Sequence, residues 1–445
     1  MTEPKAPIAR GLVPAMLTGM VLVPLNSTMI AVGLDAIAHQ LGLSVAAAVW
    51  VVSAYLITMA VVQPLGGKAG DLWGHRRLFL AGAVVFLAGS VMGAAAASLP
   101  TLIVARCMQA LGAGVTATNG SALLRRSFPT TLSQVLGNVG VVQSLGAAAG
   151  PLLGSLLIAR FGWPSIFWVN LPVLATTILW GWRVLPPDAP RLPARPLDIP
   201  GAVGLGGILV SATLALKNLA VWAWLLIPGA LAAIWFVHHE RRAAEPVVSL
   251  SLFRRPGFLV ANGSILAANG FMYTLLLWTP LFLRAHRVPL TTVGVILLGF
   301  SLMSSGAAFG GSRLLSSGRM ERGALVRLSF AVDAAAIVLA FLLPTATQVG
   351  ADMLVLLTAG LGSGLGTVAM QSTALLAARR DQAGTASGVY STSRYLGSIL
   401  ASAALSWLVP LPPLYLAVLG AVALLGILMS FGYPRPLATS RTLSA

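Results

Sequence analysis

Residues 66–82 read GGKAGDLWGHRRLFLAG and separate two long apolar runs, 46–67 and 77–98. Each run supplies the roughly 20 mostly apolar residues that a helix needs to cross the hydrocarbon of a bilayer. The stretch between them holds three basic residues and one acid, so it belongs in water. It therefore predicts a helical hairpin that crosses a membrane twice, with a polar turn between the crossings.

The composition extends this interpretation to the whole chain. Hydrophobic residues are 57% of the 445 and charged residues only 9%, whereas a soluble domain carries roughly 25% charged residues. Too few charges are present to solvate the surface of a soluble protein of this size. The single cysteine, Cys107, excludes an internal disulfide. We expect an all-α integral membrane protein.

Fourteen apolar stretches are long enough to span, and strand-like alternation is absent. We expect a first six-helix bundle at 1–183, linker segments with two further helices at 184–257, and a second six-helix bundle with a tail at 258–445. A glycine-rich helix end followed by a basic loop occurs in both halves, as GGKAGDLWGHRR and GGSRLLSSGRMER. Such internal symmetry is typical of transporters built from repeats. The spans are 12–37, 46–67, 77–98, 100–123, 134–159, 162–183, 199–217, 220–238, 258–283, 290–315, 323–343, 350–377, 384–409 and 412–432.

The basic residues orient the spans. With the N-terminus inside, 22 of the 28 Lys and Arg fall on the cytoplasmic side, four fall outside, and Arg106 and Arg394 lie within spans. Cytoplasmic loops collect Lys and Arg, so both termini are predicted to be cytoplasmic. This bias accounts for the net charge of +17 without a nucleic-acid partner. The 25 Arg against three Lys suggest a bacterial source, and hence the inner membrane.

Several motifs together resemble the major facilitator superfamily, in particular its fourteen-helix drug:proton antiporter branch. The stretch 66–82 resembles the loop signature between helices two and three, 105–118 (ARCMQALGAGVTAT) the helix-four signature, and 144–157 (SLGAAAGPLLGSLL) the helix-five signature of antiporters. Three further segments, 162–172, 240–258 and 379–398, follow in the order of that branch. The matched gating positions are Gly67, Asp71, Gly74, Arg76, Gly150, Pro151 and Gly154.

The resemblance implies two six-helix bundles about a central cavity, with spans seven and eight inserted between them. It also implies export of small amphiphilic compounds by alternating access, with proton-coupled antiport. We expect a monomer in membrane lipid, with no enzymatic activity, no cofactor and no metal. Two alternatives stay open: an exporter of one metabolite or lipid-like molecule, and a carrier that protons do not drive. A membrane enzyme or receptor is disfavoured, because the loops contain no nucleotide-binding, metal-binding or Ser/His/Asp set.

The resemblance assigns gating roles to two regions. Asp71 is expected to latch the halves shut by facing the start of span thirteen, near Gly384, because an acid is stabilised at a helix N-terminus; the alternative is a solvated loop acid. In span five, Gly150 and Gly154 make a small-residue face beside the kink at Pro151. That face is expected to seal one conformation of the cavity, or to serve packing alone.

Buried charges are the candidates for coupling. An arginine inside a span costs roughly 2.5–3.5 kcal/mol on insertion scales and usually faces a partner or a wet cavity. Arg106 fits such a role or snorkels to the surface, and Arg394 fits it or serves as a hydrogen-bond hub. Asn26 stands where the family's first-helix aspartate is usual and cannot titrate. The remaining acids are Asp35, Asp333 and Asp352 within spans, and Asp71 at the cytoplasmic edge.

The family arrangement lines the cavity with spans one, four, nine and twelve, flanked by two, five, ten and thirteen. The candidate residues are neutral, rich in amides and partly aromatic, which favours neutral or weakly charged amphiphiles. Each of them alternatively makes a hydrogen bond between helices. The set is Asn26, Gln63, Asn119, Gln143, Asn269, Tyr273, Met370, Gln371 and Tyr390.

Overall fold

The structure is a computed structural model that describes residues 6–128, 132–188, 197–217, 222–243, 246–343, 348–378, 383–408 and 412–434. All regular elements in these ranges are helical, which confirms the predicted fold class. The helices of the first half run up and down through the bundle in chain order. They are α1 (Ala6–Gln40), α2 (Val45–Ala48), α3 (Trp50–Trp73), α4 (His75–Ala94), α5 (Leu99–Ser127), α6 (Leu132–Phe161), α7 (Ser165–Trp168) and α8 (Asn170–Val184).

The inserted pair and the second half follow the same pattern. A short 3₁₀ turn, Leu250–Arg254, precedes the first long helix of the second half. Span twelve is divided at Gly366, which separates α14 from α15. The helices are α9 (Ile199–Lys217), α10 (Trp222–Arg242), α11 (Pro256–Ala285), α12 (Leu290–Ser316), α13 (Arg322–Leu342), α14 (Val349–Leu365), α15 (Thr367–Leu376), α16 (Ala383–Leu408) and α17 (Pro412–Ser430).

Length and hydropathy identify eleven membrane-crossing segments among the described residues. The predicted spans eight, thirteen and fourteen correspond to α10, α16 and α17, which are also helical. The number of fourteen crossings therefore stays a prediction that the helix order accommodates. Many leucines, valines and tryptophans on the outer faces of the helices are exposed, as expected for surfaces that meet lipid rather than water.

Helix packing creates two halves with two seams between them. In the first half α1 packs on α6 and α8, and α5 packs on α3 and α4; in the second, α11 packs on α16 and α17, and α14 packs on α12 and α13. The halves meet where α6 contacts α12 and where α3 contacts α16. Helix α9 packs beside the second seam, against both α3 and α16, and α10 packs on α9. The inserted pair therefore flanks one side of the interface.

The closest helix contact in the first half depends on two glycines. A Cβ at Gly112 would lie 2.4 Å from the carbonyl oxygen of Gly82, and a Cβ at Gly82 would lie 2.8 Å from the carbonyl oxygen of Gly112. Both distances are shorter than any Cβ contact that helix backbones tolerate. Small residues allow this approach in a membrane, where helices gain little from burying apolar surface against each other.

Candidate functional site

Two reference directions describe the site. The basic face is the end of the bundle that carries the 66–82 loop, and the opposite face is the end where α1 stops at Gln40. The region between the halves, midway along the helices, is called the chamber. It is bounded by α1 and α5 of the first half and by α11 and α16 of the second.

Arg106 is at the centre of a buried polar cluster in the first half. It is 1% exposed and its Nη1 donates to the side-chain oxygens of Asn26 and Gln109, the latter at 2.9 Å. Its Nε donates to the carbonyl of Val51 at 3.1 Å, and its guanidinium carbon lies 4.2 Å from the centre of the Tyr55 ring. These oxygens and the ring are uncharged partners. The first-helix position is therefore neutral, as predicted, but it is the partner of a buried cation.

Arg394 is the corresponding cation of the second half, and its setting differs. It is exposed although it lies midway along α16. Its Nη2 donates to the hydroxyl of Tyr395 at 3.4 Å, and this hydroxyl also accepts from Nε2 of Gln63 at 3.3 Å. Tyr273 and Tyr390 lie close enough to Arg394 to interact electrostatically. An exposed group among side chains of α3, α11 and α16 faces the chamber.

Tyr273 connects the two clusters. Its hydroxyl lies 2.6 Å from Oγ of Ser27, the residue after Asn26. It interacts electrostatically with Arg106 and with Arg394. The predicted coupling arginines are therefore brought to one region, with one tyrosine between them. Snorkelling of Arg106 to the surface is excluded by its burial.

The chamber is closed at the opposite face by contacts between the halves. Nε of Arg284 lies 3.7 Å from Oδ2 of Asp35, and Oγ of Ser53 lies 3.0 Å from Oγ of Ser402. A Cβ at Gly294 on α12 would clash with Oγ of Ser155 on α6. Both seams are thus tight at this face.

The α3–α16 seam continues toward the basic face as far as Pro64, whose Cα would lie 3.8 Å from a Cβ at Gly388 of α16. Ser53, Ala60 and Gly67 are seven residues apart and share one face of α3. Ser53 pairs with Ser402, and the carbonyl of Ala60 accepts from Thr392 at 3.4 Å. Gly67 has no described atom within 4 Å of the place that a Cβ would take. The described contacts of this seam therefore end before Gly67, and the side chains at the start of α16, which the register places opposite Gly67, lie outside the described residues.

In the 66–82 loop, Asp71 has described partners within its own half. Oδ1 of Asp71 lies 3.1 Å from Nε2 of His75 and 3.3 Å from Nη2 of Arg126, both in its own half. Its side chain is 53% exposed. Side chains at the start of α16, including Gly384, lie outside the described residues. The predicted latch with span thirteen therefore stays a prediction.

Gly74 and Arg76 of the same loop take part in a contact that the sequence analysis missed. Gly74 precedes α4 with φ of 100° and has no side chain to cap the helix. The carboxylate of Asp188 accepts instead from the backbone N–H groups of Arg76 and Arg77, at 2.8 and 3.3 Å. A Cβ at Gly74 would lie 2.3 Å from Asp188. A glycine is therefore required both for the positive φ and for the approach of Asp188.

The glycine face of α6 packs on α1, and its role in sealing one conformation of the cavity stays a prediction. Gly150 and Gly154 pack against α1, where a Cβ would meet Thr28 and Met29 respectively. Pro151 and Ser155, on another side of the helix, meet Gly294 of the second half. The glycines thus serve packing within the first half, and their neighbours form the seam.

The remaining predicted residues fall into two groups. Asn119 is fully buried, and both ends of its side-chain amide are hydrogen-bonded. Its Oδ1 lies 2.8 Å from Nδ1 of His75, and its Nδ2 donates to the carbonyls of Gly66 and Val115. Asn119 therefore joins helices and does not line the chamber. Met370 is also fully buried, against Gly366. Tyr390 donates to the carbonyl of Thr367 at 3.5 Å. Gln143, Asn269 and Gln371 range from buried to exposed, and their place on the chamber wall stays a prediction.

Two predicted coupling acids lie away from the arginines. Asp333 is fully buried on α13, and its Oδ1 accepts from Ser363 of α14 at 3.4 Å. Asp352 is buried in the first turn of α14, near the opposite face. Asp35 and Asp71 are at the two ends of the chamber. The acids are therefore distributed around the chamber and not at its centre.

The sequence model of the Major Facilitator Superfamily matches residues 16–402. The chain is a major facilitator. Proteins of this superfamily are transporters, so the chain is a multi-pass membrane transporter and not an enzyme. The resemblance seen in the motifs is confirmed at the level of the superfamily, and the fourteen-helix branch stays a prediction.

Known proteins resemble this major facilitator over most of its length. It is 38% identical to the uncharacterized MFS-type transporter YvkA of Bacillus subtilis, over 95% of each chain. It is 30% identical to the puromycin resistance protein pur8 of Streptomyces alboniger, over 88% of this chain and 80% of that one. Among solved structures, a D-xylose–proton symporter superposes with a TM-score of 0.70 at 13% identity, over 96% and 98% of the two chains. That last likeness concerns the fold alone.

The residues of the candidate site that sequence reasoning missed are Tyr55, Ser27, Asp188 and Arg284. Tyr55 and Ser27 have a signal in the sequence, since both are polar residues in the middle of apolar spans. Asp188 and Arg284 have none, because each contacts a group more than 100 residues away. Such contacts depend on how the helices are rotated in the bundle.

Proposed function

We propose that this transporter exports small amphiphilic compounds by alternating access, with the basic face in the cytoplasm of a bacterial cell. One observation carries the proposal: both seams are closed at the opposite face, where Asp35 pairs with Arg284, Ser53 with Ser402, and Gly294 meets Ser155. A chamber closed at that face can be entered only from the basic side. Relatives named for multidrug and puromycin resistance, at about 30% identity, support export of drug-like compounds.

Transport requires the opposite face to open, and Ser53 and Ser402 offer a direct test. Their Oγ atoms are 3.0 Å apart, so cysteines at both positions are placed to form a disulfide, whose sulfurs lie about 2.05 Å apart. In a Cys107→Ser background, oxidation of the Ser53→Cys/Ser402→Cys variant should abolish efflux of lipophilic dyes from proteoliposomes. Reduction should restore it.

The two single-cysteine variants are the matched controls, since oxidant should leave their efflux unchanged. Continued efflux by the cross-linked double variant would show that the seam need not open, and would contradict alternating access at this face.

The driving force has two candidate forms. Proton-coupled antiport is the family's expected form, and Asp35 is the acid best placed for it, because protonation would remove its ion pair with Arg284 and loosen the opposite face. The uncharged Asn26 beside Arg106 favours the second candidate, a carrier that protons do not drive. Efflux measured with and without an imposed pH gradient separates the two.

An exporter of a single metabolite or lipid-like molecule would transport one compound of a varied panel.

A further inference from the structure

We propose that the chamber selects amphiphiles that carry one negative charge, such as a carboxylate, and that Arg394 binds this charge. The inference rests on the proposed function, because it names the substrate class of the same chamber. It narrows the expectation of neutral or weakly charged amphiphiles that the residue types alone suggest. Its basis is the charge balance around the two arginines and the exposure of one of them.

The two guanidinium groups bring two positive charges to the chamber. Arg106 is buried and uses Nε and Nη1 on uncharged oxygens of Asn26, Gln109 and Val51. Arg394 makes a single hydrogen bond among the described residues, to Tyr395. A guanidinium has five N–H donors in a fork that matches a carboxylate. Most donors of Arg394 are thus free to bind a ligand.

The acids that the structure describes do not neutralise these charges. Asp35 pairs with Arg284 at the opposite face, and Asp71 pairs with Arg126 at the basic face. Asp333 is buried between α13 and α14 and bonds Ser363. Asp352 lies in the first turn of α14, near the opposite face. The other described acids lie in loops and helix ends of the basic face; they are Asp188, Asp198, Glu240 and Glu321.

The surroundings of Arg394 in the chamber are aromatic. Tyr273, Tyr390 and Tyr395 lie close to Arg394, and only 7–8% of each residue is exposed. The hydroxyls of Tyr273 and Tyr390 bond Ser27 and Thr367, which orients the rings and leaves their faces apolar. An anionic group beside an aromatic or alkyl body fits a guanidinium within a group of aromatic rings. A cationic amphiphile would be repelled by both arginines.

Three probes of equal ring size and different charge test the inference: dansylglycine (anionic), dansylamide (neutral) and dansyl-ethylenediamine (cationic). Binding to the full-length protein in detergent is followed by dansyl fluorescence. We expect dansylglycine to bind at least tenfold more tightly than dansylamide. Arg394→Gln should abolish this preference, and Arg394→Lys should retain part of it, because a lysine keeps the charge and loses the fork. Arg160→Gln, which removes an exposed arginine at the opposite face, should leave it unchanged.

Equal or tighter binding of the neutral or cationic probe to the wild-type protein would overturn the inference, whatever the folding yield of the variants. An unchanged preference in a folded Arg394→Gln protein would overturn the role of Arg394. Efflux of the same probes from proteoliposomes separates the two levels of proposal. Efflux without anion preference contradicts the inference alone, and absence of efflux for all probes and dyes contradicts the proposed function with it.

Discussion

Asp35 and Arg284 join the two halves of the transporter at the opposite face, with Oδ2 of Asp35 3.7 Å from Nε of Arg284. The first lies on α1 and the second near the end of α11, so the pair exists only while this face is closed. Both side chains are partly exposed, at 45% and 38%. Exposed pairs contribute up to about 1 kcal/mol, which is enough to bias the closed state but not to lock it.

Removing this ion pair should increase the opening of the opposite face. In a Cys107→Ser background, Ser402→Cys is buried at the closed seam and should react slowly with a membrane-impermeant maleimide. Adding Asp35→Asn or Arg284→Gln should raise the labelling rate by up to about fivefold, the ratio that about 1 kcal/mol sets. The double substitution should label no faster than the single ones. If the increases in labelling rate from the two single substitutions add in the double variant, then Asp35 and Arg284 do not act as a pair.

Asn26→Asp should create a buried ion pair with Arg106 and keep the fold. The guanidinium of Arg106 already donates to the Asn26 oxygen. An ionised aspartate at position 26 would accept from the same guanidinium and form an ion pair with it. The transport rate should become pH-dependent between pH 5 and 9 if the transport cycle separates this carboxyl from Arg106, because the carboxyl then loses the cation that keeps it ionised. Initial efflux rates of both proteins across that range provide the measurement.

A matched control for Asn26→Asp is Asn262→Asp. Asn262 is buried on α11, its amide donates to Phe258, and its Oδ1 has no described partner. The same change there buries a carboxyl without a described cation, so expression should fall. If the two variants are expressed equally, and if wild type and Asn26→Asp have identical pH profiles, then Asn26 has no role in proton coupling.

Asp188→Ala should destabilise the protein, because it removes the acceptor for the first N–H groups of α4. Loss of a helix cap costs about 0.5–2 kcal/mol. The melting temperature of the purified protein should fall by several degrees, and Asp188→Asn should lose less. Arg77→Ala is the control: its side chain is 69% exposed and 3.9 Å from Asp188, so its removal should have little effect. Equal melting temperatures for all three would contradict the capping role.

Gly67→Val should fold normally and transport poorly. No described atom lies within 4 Å of the added Cβ in the present conformation, but Gly67 is on the α3 face that must approach α16 when the basic face closes. Melting temperature and efflux measured on the same preparation separate stability from gating. Gly112→Ala is the contrasting control, because it clashes with the backbone of α4 and should reduce folding yield. If Gly67→Val transports at the wild-type rate, this face of α3 does not take part in closing the basic face.

Much of the fold could be predicted because it depends on local properties. The length and hydropathy of each run determine that a helix spans, and the loop motif at 66–82 indicated the superfamily. The candidate site was predicted in part: Arg106, Arg394, Asn26, Gln63 and Tyr273 are polar residues inside spans, and the structure brings them to the chamber. Asn119 has the same character but joins α5 to α3 and α4, because hydropathy does not tell which side of a helix faces a cavity.

The sequence by itself determined that this protein crosses the membrane many times and belongs to a transporter family, since the cost of placing charge or unpaired backbone in lipid leaves few other solutions. The tertiary structure alone decided which groups meet. Asp71 contacts Arg126, Asp188 caps α4, and Asp35 pairs with Arg284. These contacts are set by helix rotation and by the relative position of the two halves. That position differs between conformations of one chain, so no pattern in the sequence specifies it.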